Sequence, residues 1–176
     1  MEPNGKKGEE NSGRGTKPEK NTPAARFLFP LFLDISGKKV LVIGGGAVAL
    51  RRVRKLLPFR CRIEILSPAI CGELHRLAGA FPGVITLTEG RFRAGASAGA
   101  DFVIAASDSR TANHAAAEEC GKNRIPVSVA DRAEESDFFF PALVMEDDLV
   151  IGVVSSTGDH KKVKYAREKI SGVFKK

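Results

Sequence analysis

The feature that most constrains the fold is an apolar run that leads directly into a glycine-rich turn. Val40–Ile43 is rich in β-branched residues and contains no polar residue, which is typical of a strand buried on both faces of a parallel sheet. The next six residues, Gly44–Ala49, fit the pattern G-x-G-x-x-A. A helical pattern then runs from Ala47 to Leu57, where Pro58 stops it. This order of strand, glycine turn and helix is the context that a dinucleotide-binding turn requires.

Each small residue of this turn has a physical role when the turn holds a pyrophosphate. Gly44 makes the tight turn, Gly46 lets the phosphates approach the backbone, and Ala49 allows the helix to pack closely on the strand. The N–H groups and the positive dipole end of the helix point at the phosphates. The predicted dinucleotide contacts in this turn are Gly44, Gly46, Ala47, Val48 and Ala49. The alternative is a glycine-rich turn with a purely structural role.

The end of the second predicted strand leaves the choice between NAD and NADP open. A carboxylate that holds the ribose usually lies about 20 residues after the turn, and Ser67-Pro68 occupies that place. Glu64 lies inside the strand, and no arginine directly follows the strand to bind a 2′-phosphate. Ser67 either hydrogen-bonds a ribose hydroxyl or caps the next helix, and the residues favour neither role. Ser67 and Pro68 are therefore candidate cofactor contacts.

Strands and helices alternate over about 100 residues, which predicts an α/β fold with a Rossmann-like parallel sheet and crossover helices. The further strands are predicted at Arg62–Leu66, Val84–Leu87, Phe102–Ala106 and Pro126–Val129, and the further helices at Pro68–Gly79 and Thr111–Asn123. Open sheets of this kind bind ligands at the carboxyl ends of their strands. Ala106, Ser107 and Asp108, at the end of the fourth strand, are therefore additional candidate cofactor contacts.

The pattern changes after Asp131. Two strands are predicted at Phe138–Ala142 and Leu149–Val154, with a turn at Glu146-Asp147-Asp148, and a lysine-rich helix is predicted from about His160 to Val173. This part is too small for a core of its own, and such elements are often completed by a second subunit. The predicted organisation is a disordered tail at 1–24, a dinucleotide-binding domain at 25–131, and a small C-terminal β/α region at 132–176.

Composition excludes several classes of protein. Hydrophobic residues make up 43% and charged residues 28% of the 176 residues, which excludes a wholly disordered or collagen-like chain. The three cysteines, Cys61, Cys71 and Cys120, have no CxxC spacing and favour a reduced, cytoplasmic compartment. No apolar run approaches the ~18 residues that cross a bilayer, and the N-terminus has no apolar core of a secretory signal. Neither a membrane location nor secretion is expected.

The positive charge is concentrated at the C-terminal end. The chain carries 28 Lys and Arg against 21 Asp and Glu, for a net charge of +7. The segment from His160 to Lys176 holds seven lysines or arginines and one glutamate. Such a run is either a solvated helix face or a surface for an anionic ligand. Because no aromatic stacking array accompanies the lysines, nucleic acid is not an expected partner.

Several motifs, taken in order, resemble one protein family. The motifs are Phe29–Leu33, Val40–Ala49, Phe102–Asp108 with Asn113, Val127–Asp131, Asp137–Ala142 and Ser155–Gly158. Together they resemble the precorrin-2 dehydrogenases, which also form the N-terminal module of siroheme synthase. The resemblance covers nearly everything after residue 27, so it is far more specific than the glycine turn alone.

The resemblance implies a homodimer with a Rossmann domain and a swapped β/α dimerisation region. It also implies NAD-dependent oxidation of precorrin-2, an anionic tetrapyrrole, to sirohydrochlorin. Some members also insert ferrous iron to give siroheme; iron would then be a substrate, and no resident metal site is expected. The essential aspartate of the family ends the fifth strand in the pattern N-x-x-D and matches Asp131, with Ser128 in place of the asparagine. The alternative role of Asp131 is to cap a turn.

The segment that would contact the substrate departs from the family pattern. The family commonly follows its serine/glycine turn with Gly-x-Ser-Pro, whereas Gly158 is followed here by Asp159-His160-Lys161-Lys162. Ser155, Ser156, Lys161 and Lys162 are the candidate substrate contacts, because a basic surface suits a polycarboxylate. Two other functions compete with the enzyme. One is a non-enzymatic dinucleotide-sensing module, against which Ser67 argues, and the other is a module that binds a tetrapyrrole without oxidising it.

Overall fold

The computed structural model describes residues 25–174, so the predicted disordered tail lies outside the described residues. Five strands form one parallel sheet in the order β3-β2-β1-β4-β5. They are β1 (Lys39–Ile43), β2 (Arg62–Ser67), β3 (Ile85–Glu89), β4 (Phe102–Ala105) and β5 (Val127–Val129). The strand order reverses between β1 and β4, and a doubly wound sheet binds ligands at such a switch point. The predicted α/β fold with a Rossmann-like sheet is confirmed.

Alternate side chains of the sheet build two cores, one on each face. Three helices cover the faces: α1 (Ala47–Leu56), α2 (Gly72–Ala80) and α3 (Arg110–Asn123). Val40 and Val42 of β1 pack on the face that α1 and α2 cover. Leu41 and Ile43 pack on the opposite face, together with Ala116 of α3. Because successive residues of a strand point to opposite sides, the uninterrupted apolar run of β1 reflects burial on both faces.

Two predicted elements begin later than the sequence pattern indicates. The helix expected from Pro68 begins at Gly72, because Ser67 first closes a turn through its hydrogen bond to the carbonyl of Ala69. The strand expected at Phe138–Ala142 is wrong: β6 spans Ala142–Glu146. The preceding aromatic residues connect the sheet to β6 instead, and the ring of Phe138 packs edge-on against Phe102 at 6.0 Å between centroids. Their apolar character comes from packing on the sheet and not from a strand of their own.

The C-terminal region is a hairpin with one helix against it. β6 pairs antiparallel with β7 (Leu149–Val153), and α4 (His160–Phe174) lies against both strands. Within β6 and β7 only Val144 is buried, and no described side chain of α4 is. Large apolar side chains of this region remain exposed, namely Met145, Leu149, Val154, Tyr165 and Val173. The region therefore lacks a core of its own, as its small size predicts.

The lead-in to β1 exposes a second set of apolar side chains. Six of them are exposed between residues 27 and 33, namely Phe27, Leu28, Phe29, Leu31, Phe32 and Leu33. The backbone N–H of Arg26 donates to the carbonyl of Ser156 at 3.0 Å, so this lead-in starts beside the end of the C-terminal hairpin. In the part of the chain that the structure describes, no helix has the length and apolar character needed to cross a membrane.

Candidate dinucleotide and catalytic site

Gly44 is required by the fold itself. Its φ is +124°, which L side chains rarely adopt. A Cβ atom at this position would lie 2.6 Å from the carbonyl carbon of Ala106 and 2.8 Å from the backbone nitrogen of Ser107. The turn therefore passes directly over the end of β4, and only glycine permits that approach. The tight turn of the motif therefore lies where the ends of β1 and β4 meet.

Gly45 is a second structural glycine, and the sequence motif did not single it out. A Cβ here would lie 2.8 Å from the Cα of Ile70, and the carbonyl of Gly45 accepts a hydrogen bond from the N–H of Cys71 at 2.9 Å. The turn after β1 is thereby packed against the loop before α2. The sequence signal for this contact was the additional glycine between Gly44 and Gly46, because the motif G-x-G-x-x-A requires glycine only at its first and third positions.

Gly46 differs from its two neighbours, since neither conformation nor packing requires glycine there. Its φ of −94° and ψ of −165° are accessible to any residue, and a Cβ would meet no heavy atom within 4 Å. Gly46 is also the N-cap residue of α1, whose first turn contains no acidic side chain. The first N–H groups of a helix have no partner within it, so they remain available to an anion. This open, positively polarised end of α1 fits the pyrophosphate of a dinucleotide.

The other predicted contacts of the turn differ in how far their side chains are exposed to solvent. Ala47 is exposed and Val48 partly buried at the start of α1, whereas Ala49 is fully buried in the core that α1 shares with β1. Ala49 therefore does what a small residue at that position is expected to do, which is to let the helix pack closely on the sheet. Contact between Ala47 or Val48 and a dinucleotide stays a prediction.

Ser67 has a local role at the end of β2. The residue is buried, and its hydroxyl donates to the carbonyl of Ala69 at 2.8 Å. The N-cap of α2 is Cys71, so the alternative that Ser67 caps this helix is wrong. A ribose contact from Ser67 or from the exposed Pro68 stays a prediction. Glu64 pairs with Lys39 at 2.8 Å within the sheet.

A buried asparagine joins the ends of β4 and β5. Asn113 of α3 is completely buried. Its Oδ1 accepts from the backbone N–H of Ser107 at 3.0 Å, and its Nδ2 donates to the carbonyl of Ser107 at 2.9 Å. The same Nδ2 donates to Oδ1 of Asp131 at 3.0 Å. The predicted base is therefore tied to the loop that carries Ser107 and Asp108, next to the turn at Gly44.

The sequence motifs include Asn113, but the sequence alone indicated no role for it. The sequence signal that could have revealed its role is an amide side chain on an alanine-rich helix, which also carries the buried Ala116 and Cys120. A polar side chain in such a position is costly unless it is fully hydrogen-bonded.

Asp131 lies between this amide and a charged groove. Its side chain is 39% exposed, and Oδ1 also accepts from Nη1 of Arg110 at 3.4 Å. Arg110 hydrogen-bonds Glu135 as well and thereby holds the pKa of the Glu135 carboxyl below its ordinary value. His114 adds a contact of 3.3 Å from its Nδ1 to Glu135. The groove beside this network has a volume of about 540 Å³ and is lined by Arg110, Thr111, His114, Arg132, Glu134 and Glu135.

The candidate substrate residues surround the start of α4. Asp159 caps this helix, because its Oδ1 accepts from the N–H groups of Lys161 and Lys162, both at 3.0 Å. The hydroxyl of Ser155 accepts from the N–H of Asp159 at 3.1 Å and closes the turn before the helix. Among residues 25–174, no hydrogen bond or ion pair links Ser155, Lys161 or Lys162 to Asp131. Their role in binding a substrate, like that of Ser156, stays a prediction.

Within residues 25–174, neither the cysteines nor the residue types that commonly bind metals form a further functional site. Cys61 and Cys120 are buried thiols, and burial raises the pKa of Cys120 to about 11. Such thiols are poor nucleophiles at neutral pH because the thiolate is the reactive form. Within the described residues, no group of three or more His, Cys, Asp or Glu side chains could hold a metal ion.

The chain is similar to proteins named for siroheme biosynthesis. The chain is 41% identical over 143 residues to a protein of Ruminiclostridium josui named "Probable multifunctional siroheme biosynthesis protein HemA", a match that covers 81% of this chain and 27% of that protein. It is 30% identical over 145 residues to the siroheme synthase of Photorhabdus laumondii, covering 82% of this chain and 30% of the relative. The chain thus spans about a third or less of the length of these relatives.

The solved structure of SirC, a precorrin-2 dehydrogenase, has the same fold. It superposes with a TM-score of 0.70 at 20% sequence identity and covers 84% of this chain and 71% of its own. The family profile described as "Putative NAD(P)-binding" matches residues 31–142, which is more than half of the chain. The predicted resemblance and the predicted cofactor class, a nicotinamide dinucleotide, are confirmed. The chain therefore belongs to this family of NAD(P)-binding domains.

Proposed function

We propose that this chain oxidises precorrin-2 to sirohydrochlorin with NAD+ in siroheme biosynthesis. The observation that carries the proposal is the hydrogen-bonded bridge from Asp131 through Asn113 to Ser107. It places a half-exposed carboxylate at the carboxyl end of a parallel strand, beside the glycine turn that suits a dinucleotide. The relatives named for siroheme biosynthesis match this same segment, which supports a tetrapyrrole of that pathway as the substrate.

The reaction removes a hydride and a proton from the macrocycle. The bound dinucleotide supplies the hydride acceptor at C4 of its nicotinamide ring. The open turn at Gly46 and the N-terminus of α1 bind the pyrophosphate and so fix the position of the cofactor. The side chain of Asp131 is the group that accepts the proton from the carbon skeleton. The chain contributes the positioning of both partners, since an aligned pair reacts far faster than a free one.

The basic helix α4 suits the charge of the proposed substrate. A tetrapyrrole with several carboxylates is polyanionic, and Lys161, Lys162 and Lys164 are exposed on the first turns of α4. A cluster of positive charge raises the local concentration of such an anion and its rate of association. Ser155 and Ser156 precede this helix and offer hydroxyl groups to a carboxylate.

A second copy of the chain is proposed to cover the exposed apolar surface. The lead-in from Phe27 to Leu33 and the C-terminal region expose eleven large apolar side chains, and the hydrogen bond from Arg26 to Ser156 joins the two segments. Exposed apolar side chains in this number suit an interface with another chain. The proposed homodimer would cover these exposed apolar side chains. The free cysteines agree with the reduced cytoplasm as its compartment.

The decisive experiment follows the absorbance of sirohydrochlorin formed from precorrin-2 by the purified chain. NAD+ and NADP+ are compared, each with and without ferrous iron, so that the cofactor preference and any formation of siroheme are read from one series. Asp131→Asn serves as the site variant, because it retains size and most hydrogen bonding. We expect its turnover to fall by at least ~10²-fold, since loss of a general base typically costs ~10²–10⁴ in rate. Its melting temperature and its affinity for NAD+ should stay near those of the wild type.

One result would reject the proposed activity, and another would reject the role of Asp131 in it. Binding of NAD+ and of the tetrapyrrole without turnover would make the chain a binding module and not an enzyme. Normal turnover of Asp131→Asn with a lowered melting temperature would leave Asp131 as a structural residue. In that case another group must accept the proton.

A further inference from the structure

The burial of Asn113 is not explained by the helix on which it lies. Asparagine is mostly found at protein surfaces, yet this side chain has no exposed area. The N-terminus of α3 already has a cap, because the hydroxyl of Ser109 accepts from the N–H of Ala112. All three hydrogen bonds of the Asn113 amide instead go to the loops that follow β4 and β5. The role of the residue therefore concerns these loops.

The two bonds to Ser107 determine which way round the amide lies. The backbone N–H of Ser107 requires an acceptor, so Oδ1 of Asn113 must face this N–H. The carbonyl oxygen of Ser107 requires a donor, so Nδ2 of Asn113 must face this oxygen. The NH2 group has two hydrogens. One binds the carbonyl of Ser107 at 2.9 Å, and the other is directed at Oδ1 of Asp131 at 3.0 Å. The amide thus presents a donor in a fixed position to one oxygen of the carboxylate.

This arrangement makes the two oxygens of Asp131 unequal. Within residues 25–174, the side-chain donors that reach this carboxylate, from Asn113 and Arg110, both bind Oδ1, and none binds Oδ2. We propose that Asn113 is a positioning residue that holds Oδ1 of Asp131 and leaves Oδ2 as the atom that accepts the substrate proton. The same amide ties Asp131 to the loop of Ser107, so the base and the predicted cofactor contacts keep one relative position. This inference rests on the function proposed above.

The inference is tested with a double-mutant cycle, which separates action through Asp131 from a general loss of stability. The variants are Asn113→Ala, Asp131→Asn and the double variant, each assayed for kcat and for KM of both substrates. A misplacement of about 1 Å can lower a rate by on the order of 10²-fold, so we expect kcat of Asn113→Ala to fall roughly 10- to 100-fold. In the Asp131→Asn background, the same substitution should lower kcat by less than about 3-fold, because the group that it positions is already absent.

Ser97→Ala is the matched control. Ser97 is also fully buried, and its backbone N–H and hydroxyl bind Glu119 of α3. This variant therefore loses a partly buried hydrogen bond to the same helix, away from Asp131. Its kcat should stay within about 3-fold of the wild type even if its melting temperature falls, because it loses stability and not a positioned base. Asn113→Ser is the second variant at the site, since it keeps a hydroxyl in place of the amide.

The outcomes distinguish this inference from the proposed function. The positioning role alone would be overturned if the wild type turns over its substrate but Asn113→Ala lowers kcat as much in the Asp131→Asn background as in the wild type. The positioning role is likewise overturned if Ser97→Ala lowers kcat as much as Asn113→Ala, or if neither Asn113 variant folds, because the residue would then serve the fold. A wild-type chain without turnover would overturn the proposed function, and the inference with it.

Discussion

The guanidinium group of Arg52 lies over the ring of Phe140, with 4.3 Å between its Cζ and the ring centroid. This contact joins α1 to the segment that leads into β6, and Lys55, one turn further along α1, donates to the carbonyl of Pro141 at 2.7 Å. Burial, together with the charge of Arg51, lowers the pKa of Arg52 to about 10. Arg52 therefore stays charged at neutral pH in a half-buried place, where the electron-rich ring face is its compensating contact.

We expect a measurable coupling between Arg52 and Phe140. Phe140→Leu keeps an apolar side chain but removes the ring, and Arg52→Met keeps the aliphatic stem but removes the charge. A cycle of these variants in urea should give a coupling free energy of about 0.5–1 kcal/mol. Such a value corresponds to a shift of roughly 1–4 °C in melting temperature for a chain of this size. If the two substitutions change the free energy of unfolding additively, the contact between the charge of Arg52 and the ring of Phe140 contributes no stability.

The second prediction separates the two functions of the glycine turn. Gly46→Val should leave the melting temperature nearly unchanged, because a Cβ atom here would meet no heavy atom within 4 Å outside the two neighbouring residues. It should nevertheless weaken NAD+ binding at least ~10-fold, since the branched side chain occupies the place of the pyrophosphate. Calorimetric titration of the folded variant measures this.

The matched control for Gly46→Val is Gly44→Ala. Here even a methyl group would lie 2.6 Å from the carbonyl carbon of Ala106 on a backbone with φ of +124°. This variant should lose stability by several kcal/mol through steric strain, as measured by urea unfolding. Unchanged NAD+ affinity in Gly46→Val would show that the whole turn is structural.

The third prediction concerns the charge of α4. Replacing Lys161, Lys162 and Lys164 by Gln should raise KM for the tetrapyrrole and flatten its dependence on salt, because exposed charges act over the ~8–10 Å of the Debye length. The affinity for NAD+ should change much less. Steady-state kinetics at several ionic strengths provide the measurement, and an unchanged KM with an unchanged salt slope would identify these lysines as a solvated helix face.

The fourth prediction concerns stability in acid. The hydrogen bond from Arg110 lowers the pKa of Glu135 below its ordinary value of 4.5. Because the folded pKa is the lower one, the ionised Glu135 stabilises the fold above pH about 4.5, and this stabilisation is lost as the pH falls through the folded pKa. Glu135→Gln should therefore flatten the decline of melting temperature below pH 4.5. An acid limb identical to that of the wild type would contradict this contribution.

The local patterns of the chain were sufficient to predict the central sheet. The apolar run of β1, the glycines after it and the alternation of strands with helices are all local, and each reflects a backbone or burial requirement that a residue type satisfies by itself. The pattern failed at Phe138–Ala142, where aromatic residues indicated a strand. Their apolar character comes from contacts with Phe102 and Arg52, which lie at least 30 residues away along the chain.

By itself, the sequence determined the α/β class and predicted the glycine turn as the dinucleotide site, since both are encoded in residues that are neighbours along the chain. Asp131 was predicted as the base from its place at the end of a strand and from the family resemblance. Only the tertiary structure decided that Gly44 and Gly45 serve the fold while Gly46 is left open to a ligand, because that distinction depends on which backbone passes over each glycine. It also decided the role of Asn113, which joins Ser107 to Asp131 across 24 positions of sequence. The physical reason is that a hydrogen bond between two loops depends on how the sheet brings β4 and β5 together, and no periodicity in the chain records that distance.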